Sequence, residues 1–598
     1  MSEIEKKLSK VEKMKVDSKY LKGDIVADLT SDAVDVSDYT YEMLKFHGSY
    51  FGYDRDSATK LKKQGLDKLY EFMVRLRIPA GKMTSEQYRI ADDLAEQYAN
   101  GTIKITTRQT FQFHCIEKPD MIPFIGGINE AGMSTLSACG DVVRNVMATN
   151  APYSGAKYTK LMDDTYRIVD MCAPKTSAYK EVWTGQKDSN RNEENPLNVE
   201  PLYGDTYLPR KFKIGLVLPE DNGLDVFSHD LGFVLVYEGD EFKGYNVVVG
   251  GGMGMKHNKP KTYARAATDL AFVGKNDLLN AVEAVVKLQR DNGDRGDRQH
   301  ARLKYVVEEN GYEWTRKTFE EYFNATNPSE PAKDSVKIDG YTIPDYMGWR
   351  EQGDGKYFVG VPVPSGRIVD YDTNNKTGYT DNVSDKFKSA KYRSAFREIT
   401  DSFNVKITLT ADQNIVFCDI AERDKEKIDN ILKSNNIPSR SEFSNFERFF
   451  MSCVSLPTCG KALSEAERVQ FTVMEDIQSV LNDLDIADEK LSVRVTGCPN
   501  GCARPSLGDI GIIGRMPGAY VIHIGGDFEG TRLNIKVLDK VPQAEIGNAL
   551  RPMLEKFVAE RNGNEGFGDF CHRAGVENVA KTTEDALGEE NKWAKVVL

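Results

Sequence analysis

Four of the nine cysteines occur as two closely spaced pairs, Cys453 and Cys459 in "SCVSLPTCG" and Cys498 and Cys502 in "TGCPNGCARP". Thiolates at such spacing are ligands for zinc or for an iron–sulfur cluster. Structural zinc prefers two to four residues between paired ligands, and the first pair is separated by five. A four-iron cluster spreads its ligands over the corners of a cube, so the pattern favours the cluster over zinc or over four buried core cysteines.

The stretches that must position these cysteines occur twice along the chain. "NGTIKITTRQTFQFHCI" (100–116) and "FNVKITLTADQNIVFCDI" (403–420) both predict a strand, a turn and a second strand, each after a helical stretch. Residues 210–254 and 490–530 share a strand, a gap, Asp-Leu-Gly or Asp-Ile-Gly, a second strand and Gly-Gly. We therefore predict two copies of one α+β unit, with cysteines in the second copy where the first has Lys211 and Lys213.

Local signals place the cysteines in loops. Pro and Gly between the ligands disfavour helix and strand, and they let backbone N–H groups turn toward sulfur. After Cys459, Ser464 and Glu467 form a capping-box pattern, and apolar residues recur at helical spacing from 466 to 484. The sequence predicts a helix whose apolar stripe belongs to the core.

Composition restricts the function. The chain has 598 residues and a net charge of −12, which argues against nucleic acid as a general partner. No apolar run is long enough to span a membrane and the N-terminus lacks a signal core, so we expect a cytoplasmic protein without disulfides. The charged first 20 or so residues predict a frayed helix rather than an arm that contacts a partner. Neither a dinucleotide-binding nor a P-loop motif is present, so electrons for redox chemistry must come from another protein.

The motifs together resemble the sirohaem-dependent sulfite and nitrite reductase family. The resemblance runs from about residue 38 to 576 and rests on the cysteine pairs together with "LKFHGSYFGYDRD", "FMVRLRIPAG", "TTRQTFQFH", "VRNVMATNAPY", "TYLPRKFK", "VGGGMGMKHNKPKTYAR" and "EGFGDFCHRAG". It is similar in particular to members that receive electrons from an NADPH-dependent flavoprotein. Val143 stands where the family commonly has Asn, and "CGKA" and "CARP" have changed neighbours; none of these departures removes a ligand.

The resemblance implies an internally duplicated α+β fold, a ferredoxin-like repeat pair plus two larger α+β sheet domains around the cofactors. The expected divisions are an N-terminal arm at 1–64, ferredoxin-like half-domains at 65–135 and 346–425, a sirohaem-contacting domain at 136–345 and an iron–sulfur and sirohaem domain at 426–598. Polar stretches at 185–201, 324–335 and 370–385 predict loops or boundaries.

The same resemblance implies the cofactors and the substrate pocket. Cys453, Cys459, Cys498 and Cys502 would hold one [4Fe–4S] cluster, and Cys502 would also bridge to the sirohaem iron. The residues implied around the substrate are Arg75, Arg144, Lys211 and Lys213. The two lysines alternate on a predicted strand, so both face one side and suit a small anion such as sulfite.

Sirohaem carries eight carboxylates and needs a wide basic cradle. The residues implied for it are Arg108, Gln112, His114, Lys261, Arg265 and Arg504, with Gly250, Gly251 and Gly252 letting backbone approach the macrocycle. His114 is equally compatible with a core position.

Three functions are compared. The first is six-electron reduction of sulfite to sulfide in assimilatory sulfur metabolism and cysteine biosynthesis, with electrons from an NADPH-oxidising flavoprotein. The second is a ferredoxin-fed sulfite reductase or a nitrite reductase. The third is a non-catalytic iron–sulfur or zinc module. The clustered basic residues favour the first.

Overall fold

The computed structural model describes residues 8–185, 200–375 and 377–597. Most of the polar loop expected at 185–201 lies outside the described residues. Among the described helices, none combines the length and the apolar character needed to cross a membrane.

The helices of the described residues mostly cover the faces of four sheets. They are α1 Lys10–Asp17, α2 Ile25–Leu29, α3 Asp38–Phe46, α4 Arg55–Lys63, α5 Ser85–Tyr98, α6 Met121–Glu130, α7 Ala156–Met171, α8 Ala178–Thr184, α9 Leu278–Asn292, α10 Leu303–Asn324, α11 Tyr392–Ser402, α12 Lys425–Ser434, α13 Asn445–Phe449, α14 Gln470–Asp483, α15 Ile546–Glu560, α16 Phe567–Ala574 and α17 Val576–Leu587.

The strands of the described residues build those four sheets, five strands in each. They are β1 Ser49–Tyr53, β2 Tyr70–Arg75, β3 Lys82–Thr84, β4 Ile103–Thr106, β5 Thr110–Ile116, β6 Met147–Ala148, β7 Ile214–Val217, β8 Leu231–Glu238, β9 Glu241–Val249, β10 Thr268–Gly274, β11 Gly348–Glu351, β12 Tyr357–Val361, β13 Arg367–Ile368, β14 Lys406–Leu409, β15 Ile415–Ile420, β16 Met451–Ser452, β17 Val493–Thr496, β18 Ile510–Met516, β19 Ala519–Ile524 and β20 Ile535–Pro542.

The two ferredoxin-like units exchange strands. Their antiparallel sheets have the orders β1-β2-β5-β4-β13 and β11-β12-β15-β14-β3, so each takes its last strand from the other unit. The turns before β3 and β13 place Gly81 and Gly366 at φ 70° and 74°. A Cβ would lie 2.4 Å from the Leu409 carbonyl at the first and 2.5 Å from the Ile105 carbonyl at the second. Glycine therefore permits the close crossing that ties the units together.

The two larger sheets repeat one topology. Their orders are β10-β9-β8-β7-β6 and β16-β17-β18-β19-β20, with the first three strands of each copy parallel and the rest antiparallel. In both copies an equivalent aspartate joins the starts of two neighbouring parallel strands. Asp230 accepts from the Lys213 amide at 3.0 Å, and Asp509 accepts from the Ser492 amide at 2.9 Å. The predicted internal duplication and the α+β class are confirmed.

The register of the duplication differs from our prediction. Because Lys213 is the counterpart of Ser492, the positions opposite Cys498 and Cys502 are Pro219 and Gly223. The lysines precede a strand, whereas the second cysteine pair follows one, so the prediction that cysteines replace these lysines is wrong. Cations and thiols lie at opposite ends of equivalent strands.

The apolar core has two separate parts, and the site lies between the units that they stabilise. One continuous apolar core joins both ferredoxin-like units to the β6–β10 sheet, and a second lies between the β16–β20 sheet and helices α14 to α17. Polar side chains fill much of the boundary between these cores. Residues 1–7 of the predicted frayed helix lie outside the described residues, and over Lys10–Asp17 the prediction is wrong, since α1 is docked with Glu12 and Lys15 fully or almost fully buried.

Candidate cofactor and anion site

Parallel strands bring the two cysteine pairs together. Strands β16 and β17 are parallel neighbours, with Ser452 opposite Val495. Cys453 follows β16 directly, and Cys498 lies just beyond the end of β17. The carboxyl ends of parallel strands share one edge of a sheet, and the Cys453 amide donates to the Val495 carbonyl at 3.1 Å there.

The four thiols lie close enough to affect one another. Burial raises the pKa of Cys453 well above its usual value, and the nearby Cys502, Cys498 and Cys459 raise it further. Burial, followed by Cys502, raises the pKa of Cys498 to about 11 and also raises that of Cys459. Thiols in this setting stay protonated unless a metal centre takes them as thiolates.

Backbone and amide N–H groups point at the sulfur atoms. The Gly497 amide donates to Cys453 Sγ at 3.4 Å, and Asn500 Nδ2 donates to Cys498 Sγ at 3.4 Å. Backbone N–H groups of Lys461 and Ala462 act on Cys459 in the same way. Such donors stabilise negative charge on ligand sulfur and tune the reduction potential of a cluster.

Loops from three other parts of the fold contact the cysteine loops. Arg55, at the start of α4, donates from its amide to the Pro457 carbonyl at 3.2 Å and from its guanidinium to the Cys459 carbonyl at 3.3 Å. The Met255 amide donates to the Pro499 carbonyl at 2.7 Å. Thr107 Oγ1 donates to the Cys502 carbonyl at 2.7 Å, so the first ferredoxin-like unit reaches the second cysteine pair.

A row of polar residues crosses the first ferredoxin-like sheet. Arg75 lies opposite Gln112, Gln112 opposite Lys104, and Lys104 opposite Arg367, so the four share one face across β2, β5, β4 and β13. Arg75 donates to Gln112 Oε1 at 3.1 Å and to Cys139 Sγ at 3.0 Å. These contacts fix its guanidinium at the edge of the row.

Lys211 and Lys213 are half-buried cations of this site. Burial lowers the pKa of Lys211 well below its usual value, and Lys213 and Arg144 lower it further. Burial, followed by Arg108 and Arg302, does the same to Lys213. Neither ammonium group has a hydrogen-bonding or ion-pairing partner within the described ranges, so both can accept an anion.

Arg144 and Arg108 complete this basic cluster. Arg144 donates to the Gly140 carbonyl at 3.2 Å and to the Tyr50 hydroxyl at 3.4 Å. Arg108 Nε is buried without a partner, and burial, with Arg144 next, lowers its pKa to about 9. Arg108 and Arg144 thus place two positive charges close together at this site.

Two protein-family models match this chain. The nitrite and sulphite reductase 4Fe-4S domain matches residues 139–326 and 448–591, and the nitrite/sulfite reductase ferredoxin-like half domain matches 64–131 and 350–435. The chain belongs to the nitrite and sulfite reductase family. Its two duplicated pairs correspond to the two matches of each model.

Named relatives cover almost the whole chain. The sulfite reductase [ferredoxin] of Synechococcus elongatus is 38% identical over 98% of this chain and 92% of its own length. The sulfite reductase [NADPH] hemoprotein beta-components of Staphylococcus carnosus and Bacillus subtilis are each 37% identical, over 98% and 96% of this chain and 98% and 97% of their own lengths. The structure of Mycobacterium tuberculosis NirA superposes with a TM-score of 0.72 at 21% identity, covering 96% of this chain and 97% of that one, which supports the fold.

The family's cofactors, a [4Fe–4S] cluster and sirohaem, fit the residues present. Among the described residues, no three His, Cys, Asp or Glu side chains converge on a single metal ion. Four thiols that lie close enough to affect one another suit a four-iron cluster, which takes one thiolate at each corner. The orphaned Arg108 donor and the unpartnered lysines suit a macrocycle rich in carboxylates and a small anion beside it.

Two predicted cradle residues form a pair next to Arg75. Gln112 Nε2 lies 2.9 Å from His114 Nε2, and His114 Nδ1 is buried without a partner. Burial, with Arg367 and Lys104 next, lowers the pKa of His114 well below its usual value, so the ring is neutral. His114 is 1% exposed, and its place in the cradle stays a prediction.

The Gly-rich segment and the basic residues after it, which were predicted to contact sirohaem, mostly make contacts within the protein. Lys261 is exposed, and Arg265 spends its guanidinium on Glu308, on Thr268 and on the Gly250 carbonyl at 3.1 Å. Internal contacts likewise account for the other two glycines: a Cβ would lie 2.2 Å from the Phe227 carbonyl at Gly251 and 2.4 Å from Arg302 Nη1 at Gly252. Close packing of the protein itself therefore explains these glycines.

Arg504 lies where the duplicated units meet. Arg504 and Asp225 have φ of 54° and 53°, each precedes a 3-10 turn, and the two are counterparts in the duplication. They form a buried ion pair with each other. Arg504 also donates to the carbonyls of Thr107 at 2.9 Å and Ala411 at 3.2 Å, which are counterparts in the two ferredoxin-like units. This guanidinium thus joins all four units, two residues beyond Cys502.

Sequence reasoning missed a second buried cluster. Glu467 accepts from Arg367 Nε at 2.6 Å and from Lys104 at 2.9 Å, all three side chains being almost fully buried. Helix α14 begins only at Gln470, and Ser464 Oγ has no partner. The predicted capping box is therefore wrong, because Glu467 serves a tertiary ion pair that no local pattern indicates.

Replacing Glu467 by glutamine should strongly destabilise the protein. The change leaves Arg367 and Lys104 as uncompensated buried charges, so we expect the free energy of unfolding to fall by about 3–5 kcal/mol. Glu465→Gln is the matched control, since Glu465 pairs with Arg468 near the surface and should cost at most about 1 kcal/mol. Urea titrations of both variants measure the difference; equal losses would contradict the assignment.

Proposed function

We propose that the chain reduces sulfite to sulfide in a six-electron reaction within assimilatory sulfur metabolism and cysteine biosynthesis. The observation that carries this proposal is the pair of half-buried lysines, Lys211 and Lys213, which lie near Arg144 and have no partner among the described residues. Arg144 in turn lies near Lys461, which follows Cys459 in the cysteine loop. When bound, sirohaem and the cluster supply the electrons and an iron that takes the sulfur of the substrate. The proposed cluster ligands are Cys453, Cys459, Cys498 and Cys502, with Cys502 shared between the two cofactors.

The arginines bind and orient the anion in this proposal. Arg75 is fixed by Gln112 and Cys139, and Arg144 by the Gly140 carbonyl and Tyr50. Guanidinium groups held in place by other residues keep their charge throughout and need no reorganisation when an oxyanion enters.

The lysines hold and deliver protons. Burial and like charges depress the pKa of Lys211 and Lys213, and an incoming anion with nearly two negative charges raises both again. A bound anion therefore favours the protonated form of both Nζ atoms. Each ammonium can then donate a proton to a substrate oxygen that leaves as water.

The electron donor in this proposal is an NADPH-oxidising flavoprotein. Several relatives are named as NADPH hemoprotein beta-components, although one is named for ferredoxin. The nine cysteines are all unpaired in the structure, which suits a reducing cytoplasm, where we place the enzyme.

Turnover with a reduced dye, measured for sulfite and nitrite side by side, tests the substrate. We expect kcat/KM to be higher for sulfite; a wide preference for nitrite would overturn the proposal. Repeating the sulfite assay with NADPH plus a flavoprotein reductase, and separately with reduced ferredoxin, tests the donor. Efficient turnover with ferredoxin alone would favour the second candidate.

A further inference from the structure

Helix α1 carries two charged side chains that are buried far from solvent. Glu12 is 0% and Lys15 1% exposed, although the helix lies before every recognised motif. Charged side chains are almost never buried so completely unless they are paired. Their burial in a terminal helix therefore indicates specific partners deeper in the fold.

Those partners are close. Lys15 Nζ lies 2.5 Å from Glu12 Oε1, 2.7 Å from the Leu208 carbonyl and 3.2 Å from Asp141 Oδ2. Arg295 pairs with Glu12 and donates to the Tyr207 carbonyl at 2.8 Å. Lys15 of helix α1 thus contacts Leu208 and Asp141 directly, and Glu12 is linked to Tyr207 through Arg295.

The two segments that α1 contacts lead into the residues of the proposed anion pocket. Residues 207–208 lead directly into Lys211 and Lys213, and Asp141 leads into Arg144. The segments are joined to each other, since the Phe212 amide donates to the Val142 carbonyl at 3.0 Å and the Arg144 amide to the Phe212 carbonyl at 2.9 Å. A change in the contacts of α1 would therefore shift both segments together.

Asp141 is a buried negative charge behind this pocket. Its carboxylate is 2.7 Å from Arg298, 3.2 Å from Lys15 and 3.6 Å from Arg210. These cations hold its pKa well below the usual range despite burial. Because Lys15 and Arg298 neutralise the carboxylate, the positive charge of Arg144 and the pocket lysines is left for a ligand.

We propose that helix α1 belongs to the substrate pocket, with Lys15 and Glu12 as positioning residues that act through Asp141 on Arg144, and through residues 207–208 on Lys211 and Lys213. The inference rests on the proposed binding of sulfite at these cations. It assigns to the N-terminal helix a part in substrate affinity, outside every recognised motif.

The test compares Lys15→Met with the wild type as the full, cofactor-loaded chain. Without Lys15 the Asp141 charge weakens the pocket, so we expect KM for sulfite to rise by about fivefold, with kcat and iron per chain changed less than about twofold. The Kd for sulfite, from the absorption change on titrating the oxidised protein, should rise by the same factor. Lys15→Arg should restore both values, and Lys10→Met, on the exposed side of α1, should leave them unchanged.

A double variant separates electrostatics from simple destabilisation. Lys15→Met combined with Asp141→Asn removes the carboxylate charge together with the cation beside it, so KM should return toward the wild-type value even though one more buried contact is lost. Unchanged KM and Kd in Lys15→Met, with only a lower Tm, would overturn the inference, as would a double variant worse than either single one. Failure of the proposed function would instead remove sulfite turnover from the wild type as well.

Discussion

In the Cys502→Ser variant we expect sulfite turnover to fall by more than about a thousandfold, and the absorption bands of the bound cofactors to be lost. Cys502 is the exposed member of the four cysteines, its carbonyl accepts from Thr107, and its thiol interacts with the other three. As the proposed shared ligand, it would hold the cluster next to the sirohaem. Serine offers a hard, protonated oxygen in place of a soft thiolate, so we expect iron per chain to fall as well.

Cys571→Ala is the matched control for this variant. Cys571 is equally a cysteine of the C-terminal unit, but it is buried in apolar contacts of α16. It should keep iron content, absorption and turnover, with a small loss of stability. Normal turnover in Cys502→Ser would show that the shared-ligand assignment is wrong.

The second large effect is expected for Lys213→Met, with sulfite turnover lowered by about a hundredfold while both cofactors stay bound. Methionine keeps the length and the buried apolar stem of the side chain but removes the ammonium that binds the anion and carries a proton. Because Lys213 has no partner within the described residues, its loss leaves no other charge uncompensated. Measuring kcat and KM separately, with iron per chain, tests the role.

Lys490→Met provides the control. In the register of the duplication Lys490 is the counterpart of Lys211, but its ammonium lies 3.9 Å from the Phe528 ring centroid. Its replacement should leave sulfite kinetics unchanged. Unaltered kinetics in Lys213→Met would remove this lysine from the pocket, and loss of iron would show that it supports the cofactors instead.

The sequence predicted what depends on local pattern. Alternating apolar residues identified the paired strands, and repeated motifs identified the duplication. The cysteine pairs lie at one sheet edge because Cys453 and Cys498 each follow one of two parallel strands. The spacing of these cysteines and the loop residues between them are local features, so a few neighbouring positions in the sequence are enough to recognise them.

Other features depend on contacts between distant parts of the chain. Glu467 matched a capping box, but it is used by Arg367 in a strand 100 residues earlier. Arg504 was assigned to the cradle from its place beside Cys502, whereas its contacts lie on Asp225 and on two counterpart turns. The buried Lys15 belongs to a stretch that the sequence predicted as a frayed helix, because its partner Asp141 is far away in sequence.

The exchange of strands between the ferredoxin-like units was equally hidden. Strand β13 has two residues and β3 three, too few for alternation to register. Only the pairing of Arg367 with Lys104 shows that the second unit completes the sheet of the first. That pairing also extends the polar row beginning at Arg75, so the site depends on it.

The most direct test of this account is an absorption spectrum of the chain, purified from a host that makes sirohaem, with iron and acid-labile sulfide assayed on the same sample. The account predicts tetrapyrrole bands with about five irons and about four sulfides per chain, from one sirohaem and one cubane cluster. Zinc in place of iron, or a cluster without tetrapyrrole from a sirohaem-producing host, would contradict it.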